Sequence, residues 1–137
     1  MADATRPLPS LADPDTAPFW QATKSHELRF QVCDDCDAVV FYPRRHCTSC
    51  LGSALSWKVS AGAGEIYSFS VVQLSRHPFF GQKVPYAVAL IDLDEGFRIL
   101  SNVVGVDDPV AQLRVGQRVA LEWEDHDEVA IPLFHPA

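Results

Sequence analysis

The chain has 137 residues, of which 47% are hydrophobic and 21% charged, and its formal net charge is −7. This length suffices for one domain with a buried core, and the composition is that of a globular protein. The acidic charge argues against nonspecific binding to nucleic acid, which depends on Lys and Arg neutralising phosphates. The longest apolar run, residues 86–91, has the length of a strand rather than of a membrane span. The first residues lack the apolar region of a secretory signal, so we expect a soluble, cytoplasmic protein that binds neither nucleic acid nor membrane.

The N-terminal segment, residues 1–30, is predicted to contain a flexible arm and a short helix. Residues 1–15 are rich in Pro, Asp and Ala, which is typical of a flexible chain end. The helix is expected to carry Pro18 in its first turn, where the missing N–H costs nothing. Phe19 and Trp20 are adjacent in it and therefore face different directions. They either hold the helix against its own domain or contact a partner.

The cysteines predict a metal site. They form two Cys-x-x-Cys motifs separated by ten residues, Cys33 with Cys36 and Cys47 with Cys50, and the chain contains no other cysteine. Two such motifs supply the four ligands of a closed tetrahedral centre, so residues 31–55 are predicted to form a zinc ribbon that holds one structural zinc ion. Iron remains an alternative, because an all-thiolate site suits both metals. Four thiolates leave no open position for a catalytic water or substrate.

Residues 56–137 are predicted to form a small β-barrel. Residues 57–59 extend from the ribbon, and five further strands are expected over residues 65–72, 86–93, 97–104, 117–123 and 129–134. A tight turn at residues 94–96 separates the second of these strands from the third. A short helical turn at residues 109–113 precedes the fourth. The fold class is therefore mainly β, with an N-terminal helix, a zinc ribbon and then a five-stranded barrel of the OB type.

Two apolar segments are candidates for contacts with other molecules. The loop of residues 75–85 carries Phe79 and Phe80, which either pack back over the barrel or project into a partner pocket or an acyl-CoA channel. Arg76 and Lys83 flank these rings and are candidates for binding CoA phosphates. The C-terminal residues 131–135 either close the barrel or dock on a partner. The candidate partner or acyl-CoA contacts are Phe19, Trp20, Arg76, Phe79, Phe80, Lys83, Tyr86 and Phe134.

No catalytic residue is predicted. The sequence contains no Gly-x-Ser-x-Gly elbow, His-Glu-x-x-His motif, P-loop or dinucleotide-binding glycine run. Asp92, Asp94 and Glu95 form a carboxylate cluster, but they flank a predicted hairpin turn, where solvated acids are common. The histidines are dispersed, and His46 beside Cys47 is expected to be exposed.

The order of these motifs resembles a known family. The series begins with the Phe19-Trp20 helix, the two cysteine motifs with Pro43-Arg44 between them, and Trp57. It continues with Gly62-x-Gly64-x-x-Tyr67-Ser68, Pro85-Tyr86, Asp94-Glu95-Gly96 and Gly116-x-x-Val119. This series is similar to OB-fold proteins with an N-terminal rubredoxin-like zinc ribbon, once catalogued as a domain of unknown function. The resemblance extends from about Phe19 to Phe134.

The resemblance implies a noncatalytic accessory subunit of a thiolase-fold enzyme that acts on acyl-CoA substrates. The partner is expected to be a thiolase or a retro-aldolase that cleaves side chains, with a preference for lipid or sterol degradation. The complex is expected to be a hetero-oligomer built on the partner's dimer, and an acyl-CoA hydratase is a possible further component. Two alternatives are a single-stranded nucleic-acid-binding module, with Tyr67, Phe69 and Tyr86 stacking on bases, and an iron-loaded electron carrier.

Overall fold

The computed structural model describes residues 5–137, so residues 1–4 of the predicted arm lie outside the described part. Within it, the regular elements are α1 Ala17–Thr23, β1 Arg29–Cys33, β2 Val39–Val40, β3 Leu55–Val59, β4 Ala63–Val72, β5 Tyr86–Leu93, β6 Arg98–Val103, α2 Pro109–Gln112, β7 Arg118–Asp125 and β8 Ala130–Pro136. One turn of 3-10 helix, Phe80–Gln82, lies in the loop between β4 and β5. In this part of the chain no helix is long and apolar enough to cross a membrane.

Strands β4 to β8 form a closed barrel in the order β4-β5-β6-β8-β7. Neighbouring strands are antiparallel except β6 and β8, which are parallel. The barrel can close because β4 is long: residues 63–65 pair with β7, and most of the strand pairs with β5. A bulge between Ile66 and Ser68 shifts the register and bends β4 between its two partners. This order confirms the predicted five-stranded barrel of the OB type.

The ribbon is built on a separate three-stranded sheet with the order β2-β1-β3. Strand β3, which contains the predicted segment 57–59, pairs antiparallel with β1 along its whole length. Strand β2 pairs with β1 through only two residues, Val39 and Val40. So small a sheet buries little apolar surface, and we expect metal binding to supply much of its stability.

An aromatic cluster joins the ribbon sheet to the barrel. Phe97, which follows the turn after β5, lies with its ring centre 4.8 Å from that of Phe30 on β1 and 4.8 Å from that of Phe41. The ring of Phe41 in turn meets Phe19 of α1 at 5.7 Å. Edge-to-face and offset aromatic pairs add stabilisation beyond the area that they bury. The helix, the ribbon and the barrel therefore share one apolar core.

Polar contacts reinforce this joint. The Glu95 carboxylate accepts a hydrogen bond of 2.7 Å from the Ser60 hydroxyl and another of 2.7 Å from the Ala61 N–H, so the β5–β6 turn is tied to the chain that leaves β3. The Leu100 N–H on β6 donates to the Tyr42 hydroxyl at 2.8 Å. The ribbon is thus fixed in orientation as well as in position.

Helix α1 is fixed to the end of the barrel by one buried hydroxyl. Thr23 has 0% of its surface exposed, and its Oγ1 donates to the Trp20 carbonyl at 2.5 Å while accepting from the Ala130 N–H at 3.0 Å. Ala130 is the first residue of β8. The hydroxyl therefore orients α1, and with it Trp20, relative to the barrel.

Replacing Thr23 by Val tests this anchor. The substitution keeps the shape but leaves the buried Ala130 N–H without an acceptor, so we expect a loss of about 1–3 kcal/mol in the free energy of unfolding. Urea denaturation followed by tryptophan fluorescence measures it. Thr23→Ser retains the hydroxyl and is expected to lose less. Equal stability of Thr23→Val and the unmodified chain would contradict the proposed anchor.

Candidate metal centre and interaction groove

The four cysteine thiols meet at one point of the ribbon. Their sulfur atoms all lie within 4.8 Å of one another, and the Sγ–Sγ distances are 3.6 Å for Cys33 with Cys50 and 3.6 Å for Cys36 with Cys47. Tetrahedral zinc with Zn–S bonds of about 2.3 Å requires sulfur atoms about 3.8 Å apart. The donor set therefore fits one tetrahedral ion held by four thiolates.

The two knuckles have the same local geometry. In the first, the Asp37 N–H donates to the Cys33 carbonyl at 2.9 Å, and in the second the Leu51 N–H donates to the Cys47 carbonyl at 3.0 Å. Asp37 and Leu51 both have a positive φ, 63° and 66°. This left-handed residue after each motif turns the chain so that both thiols of the pair face the ion.

Backbone N–H groups favour the thiolate form of Cys47. The N–H groups of Cys50 and Ser49 hydrogen-bond to the sulfur of Cys47 and lower its pKa to about 7. Since metal ligation requires the deprotonated thiol, this sulfur is ready for an ion near neutral pH.

Gln31 positions the second knuckle, a role that the sequence did not reveal. Its side chain is 6% exposed, donates to the Arg44 carbonyl at 3.0 Å and accepts from the Arg44 N–H at 2.9 Å. This pair of bonds extends the β1 hydrogen-bonding pattern to the segment that leads to Cys47. In the sequence, Gln31 is only a polar residue in an alternating strand.

The predicted contact residues divide into buried and accessible groups. Phe19 is 3% and Phe134 is 0% exposed, so both belong to the core. Phe134 pairs with Val103 and Leu121 where β6, β7 and β8 meet, and it helps to close the barrel. Of the remaining predicted contacts, Arg76 and Lys83 are exposed, and Trp20, Phe79, Phe80 and Tyr86 are partly buried.

The loop of residues 75–85 packs against itself and against the first strand that follows. The His77 Nδ1 accepts hydrogen bonds from the N–H groups of Phe79 and Phe80, at 3.1 and 3.4 Å. The two phenylalanine rings meet edge to face at 5.1 Å, and Phe80 lies 5.8 Å from Tyr86. The Lys83 ammonium lies 5.3 Å from the centre of the Phe79 ring. The loop is therefore an ordered aromatic surface.

Helix, ribbon and barrel together line an apolar groove of about 360 Å³. Four of the predicted contacts, Phe19, Trp20, Phe80 and Tyr86, line it. Tyr42 and Leu100 join them and are 47% and 56% exposed. Neither of these last two residues was predicted from the sequence. Tyr42 adjoins Phe41, which is partly buried against the core, and Leu100 occupies an outward position of an alternating strand, so neither carries a local signal.

The carboxylates near the β5–β6 turn form ion pairs and hydrogen bonds within the fold. Asp92 forms an ion pair with Arg98 at 2.6 Å, and Asp94 forms one with Arg118 at 2.7 Å. The Arg118 guanidinium holds the pKa of Asp94 below its usual range. Glu95 binds the chain between β3 and β4, as described above. These carboxylates are thus accounted for by contacts within the fold.

Two family models cover most of the chain. The zinc ribbon of ChsH2, described as rubredoxin-like, matches residues 20–56, and the C-terminal OB-fold domain of ChsH2 matches residues 57–124. The metal centre is thus a rubredoxin-like zinc ribbon, and its four cysteines lie close enough to hold one ion.

Two curated relatives with similar sequences are hydratase subunits, and another, from Methanocaldococcus jannaschii, is described as a DUF35 domain-containing scaffold protein, 34% identical over 69% of this chain and 67% of that protein. The chain is 34% identical to a probable enoyl-CoA hydratase alpha subunit of Thermomonospora curvata over 98% of its own length. It is 31% identical to the 3-oxo-4,17-pregnadiene-20-carboxyl-CoA hydratase alpha subunit of Mycobacterium tuberculosis over 89% of its length. The chain spans 41% and 38% of the length of these two relatives.

A solved structure described as the Ltp2-ChsH2(DUF35) aldolase contains a chain of the same fold. The TM-score is 0.83 and the sequence identity 32%, with 93% of this chain and 98% of that chain covered. The similarity therefore includes the helix, the ribbon and the barrel together.

Replacing Cys47 by Ser tests the metal centre. The purified chain is expected to be colourless and to contain one zinc ion, whereas iron bound by thiolates would absorb visible light. Structural zinc contributes an apparent free energy of about 10–16 kcal/mol to the folding of small zinc-binding peptides. Cys47→Ser is therefore expected to lose the ion and unfold the ribbon, while part of the barrel survives.

The measurements are zinc content by atomic emission and thermal unfolding by circular dichroism. Ser49→Ala is the matched control, because it keeps the N–H that donates to Cys47 and removes only an exposed hydroxyl. Stoichiometric zinc and unchanged thermal stability in Cys47→Ser would show that the four-cysteine assignment is wrong.

Proposed function

We propose that this chain, which belongs to the DUF35 family, is a noncatalytic accessory subunit. Members of this family combine a rubredoxin-like zinc ribbon with an OB-fold domain. It binds a thiolase-fold enzyme that acts on acyl-CoA substrates and stabilises, positions or gates that enzyme. The observation that carries the proposal is the similarity to the DUF35 chain of the aldolase structure over 98% of that chain.

The groove supplies a surface for such a partner. It combines aromatic and aliphatic side chains that are partly exposed, among them Trp20, Tyr42, Tyr86 and Leu100. Aromatic residues at the centre of a groove are the usual anchors of protein interfaces. The partner is proposed to supply the catalytic residues, because the carboxylates of this chain near the β5–β6 turn are paired within the fold.

The substrate class is proposed to be acyl-CoA esters from lipid or sterol degradation. This choice is supported by the names of the two hydratase relatives, one of which acts on a steroid-derived CoA ester. A hydratase is accordingly a candidate second component of the assembly. We place the complex in the cytoplasm, where thiols stay reduced and available to a metal.

The electrostatics of the barrel argue against the nucleic-acid alternative. Sites for single-stranded nucleic acid combine stacking rings with free basic residues. The ring of Tyr67 is covered by the Arg98 guanidinium at 3.4 Å, and Arg98 is itself paired with Asp92. Both features leave this part of the barrel without the free cation that a phosphate needs.

Reconstitution with thiolase-fold enzymes of the same organism tests the proposed function. Coexpression is expected to yield a stoichiometric complex in which the enzyme cleaves its acyl-CoA substrate, while the enzyme alone is inactive or unstable. This chain alone is expected to show no turnover. Full activity and stability of each thiolase-fold enzyme without this chain would refute the proposal.

Replacing Leu100 by Glu tests the groove as the docking surface. The side chain is 56% exposed, so the fold is expected to be retained, while a buried charge at the interface weakens binding about 30-fold, as at a central anchor. Leu74→Glu is the control, because Leu74 is 79% exposed and lies outside the groove. Calorimetry of the complex measures both affinities. Equal affinities of the two variants would contradict this location.

A further inference from the structure

The N-terminal arm places one arginine in a cage on the barrel surface. The Arg6 guanidinium lies 4.9 Å from the centre of the Phe79 ring and 5.5 Å from that of Phe80. It also forms two hydrogen bonds with the Glu124 carboxylate, from Nε at 2.5 Å and from a terminal nitrogen at 3.2 Å. The Arg6 side chain is only 12% exposed. We call the surroundings of this guanidinium, formed by Phe79, Phe80 and Glu124, the arginine cage.

The cage is suited to a guanidinium group. A planar guanidinium can donate two parallel hydrogen bonds to a carboxylate and stack on aromatic rings at the same time, which a lysine ammonium cannot do. Partial burial opposes ionisation of Glu124, but hydrogen bonds from Arg6 and His126 outweigh it and lower the pKa of Glu124. The carboxylate is therefore charged at neutral pH and complements a cation.

The cage adjoins the groove. Arg6 and Phe80 both line the 360 Å³ groove, and both also line a second cavity of about 180 Å³ beside Lys83, Tyr86 and Val104. The Arg6 side chain thus lies between the two cavities. Phe80, Tyr86, Asn102 and Leu133 also line both cavities, so the two are adjacent, and withdrawal of Arg6 would enlarge the surface that they share.

Among the described arm residues, Arg6 forms hydrogen bonds and cation–π contacts with the barrel and the loop of residues 75–85. Among the described residues, the segment 5–12 forms no backbone–backbone hydrogen bond with the barrel. Its apolar residue Leu8 is 46% exposed. A side chain held in this way can be replaced by an equivalent side chain from another molecule at little cost in free energy. The incoming side chain forms the same contacts that the outgoing one loses.

We propose that the arginine cage binds an arginine side chain of the partner protein, and that Arg6 occupies the cage in the free subunit. This inference rests on the proposed function, since the partner is the thiolase-fold enzyme. The arm then acts as an internal competitor: the partner's arginine replaces Arg6, and the apolar groove and the adjoining cavity become one docking surface.

A small arginine compound tests the cage without any partner. N-acetyl-arginine methylamide is titrated into the full chain carrying Arg6→Ala, and the amide resonances of Phe79, Phe80 and Glu124 are followed by NMR. We expect saturable shifts at these residues and at least about tenfold weaker binding to the unmodified chain, where Arg6 competes. The citrulline analogue has the same shape without the charge and is expected not to bind.

The charge of the cage is tested by adding Glu124→Gln to Arg6→Ala, which is expected to abolish the arginine-dependent shifts. Binding of the citrulline and arginine compounds with equal affinity would overturn the proposal. So would an Arg6→Ala chain that gives no dispersed NMR spectrum, because Arg6 would then be a fixed structural element rather than an exchangeable occupant.

The affinity of this chain for the thiolase-fold enzyme then tests whether an arginine of the partner enters the cage. Arg6→Ala is expected to tighten the complex several-fold by removing the competitor, and the double variant Arg6→Ala, Glu124→Gln is expected to bind more weakly than Arg6→Ala. If an active complex forms and neither variant changes its affinity, the inference fails while the proposed function stands. If no thiolase-fold enzyme binds, both fail, whatever the arginine compound does.

Discussion

The packing of Phe97 against Phe30 and Phe41 is the interaction on which the rest of this structure depends. These three rings belong to the turn after β5, to the ribbon sheet and to the segment after β2, so they fix the ribbon on the barrel. The groove is formed from both sides of this joint, with Tyr42 on the ribbon side and Leu100 on the barrel. A ribbon that rotated on the barrel would separate these two side chains and remove the groove as a surface. The aromatic joint therefore links folding to the proposed interaction.

The metal centre is expected to affect the proposed docking indirectly, through the fold of the ribbon. Four thiolates complete the coordination of zinc, so the ion offers no open position for chemistry. Its expected role is to fold a ribbon whose strand β2 has only two residues, and Tyr42 lies two positions after the end of that strand. The hydrogen bond from the Leu100 N–H to the Tyr42 hydroxyl then holds this ribbon residue against strand β6 of the barrel. Loss of the ion is thus expected to disturb docking as well as stability.

The arm and the loop of residues 75–85 give this surface a second feature, a charged site within an apolar region. Glu124 would be costly to bury beneath a partner without a cation, because an unpaired carboxylate loses its hydration. In the free chain Arg6 pairs with it, and the aromatic rings of Phe79 and Phe80 are covered at the same time. A partner that brings its own guanidinium satisfies the carboxylate, whereas an apolar partner does not. Such a requirement provides specificity that an apolar groove by itself lacks.

The amino-acid sequence by itself determined the features that depend on local spacing. The two Cys-x-x-Cys motifs identified the ligand set, and the alternation of residues 65–72 and 86–93 identified strands of a barrel, because side chains alternate faces along a strand. Only the tertiary structure decided which apolar residues are exposed. Phe134 proved to be a core residue, and Phe19 is a core residue that also lines the groove. Trp20 and Tyr86 line the same groove with the more exposed Tyr42 and Leu100. Arg6 and Glu124 are 118 positions apart, yet they share two hydrogen bonds. Periodicity reports only neighbours within an element, and so it carries no information on contacts that barrel closure and the aromatic joint create.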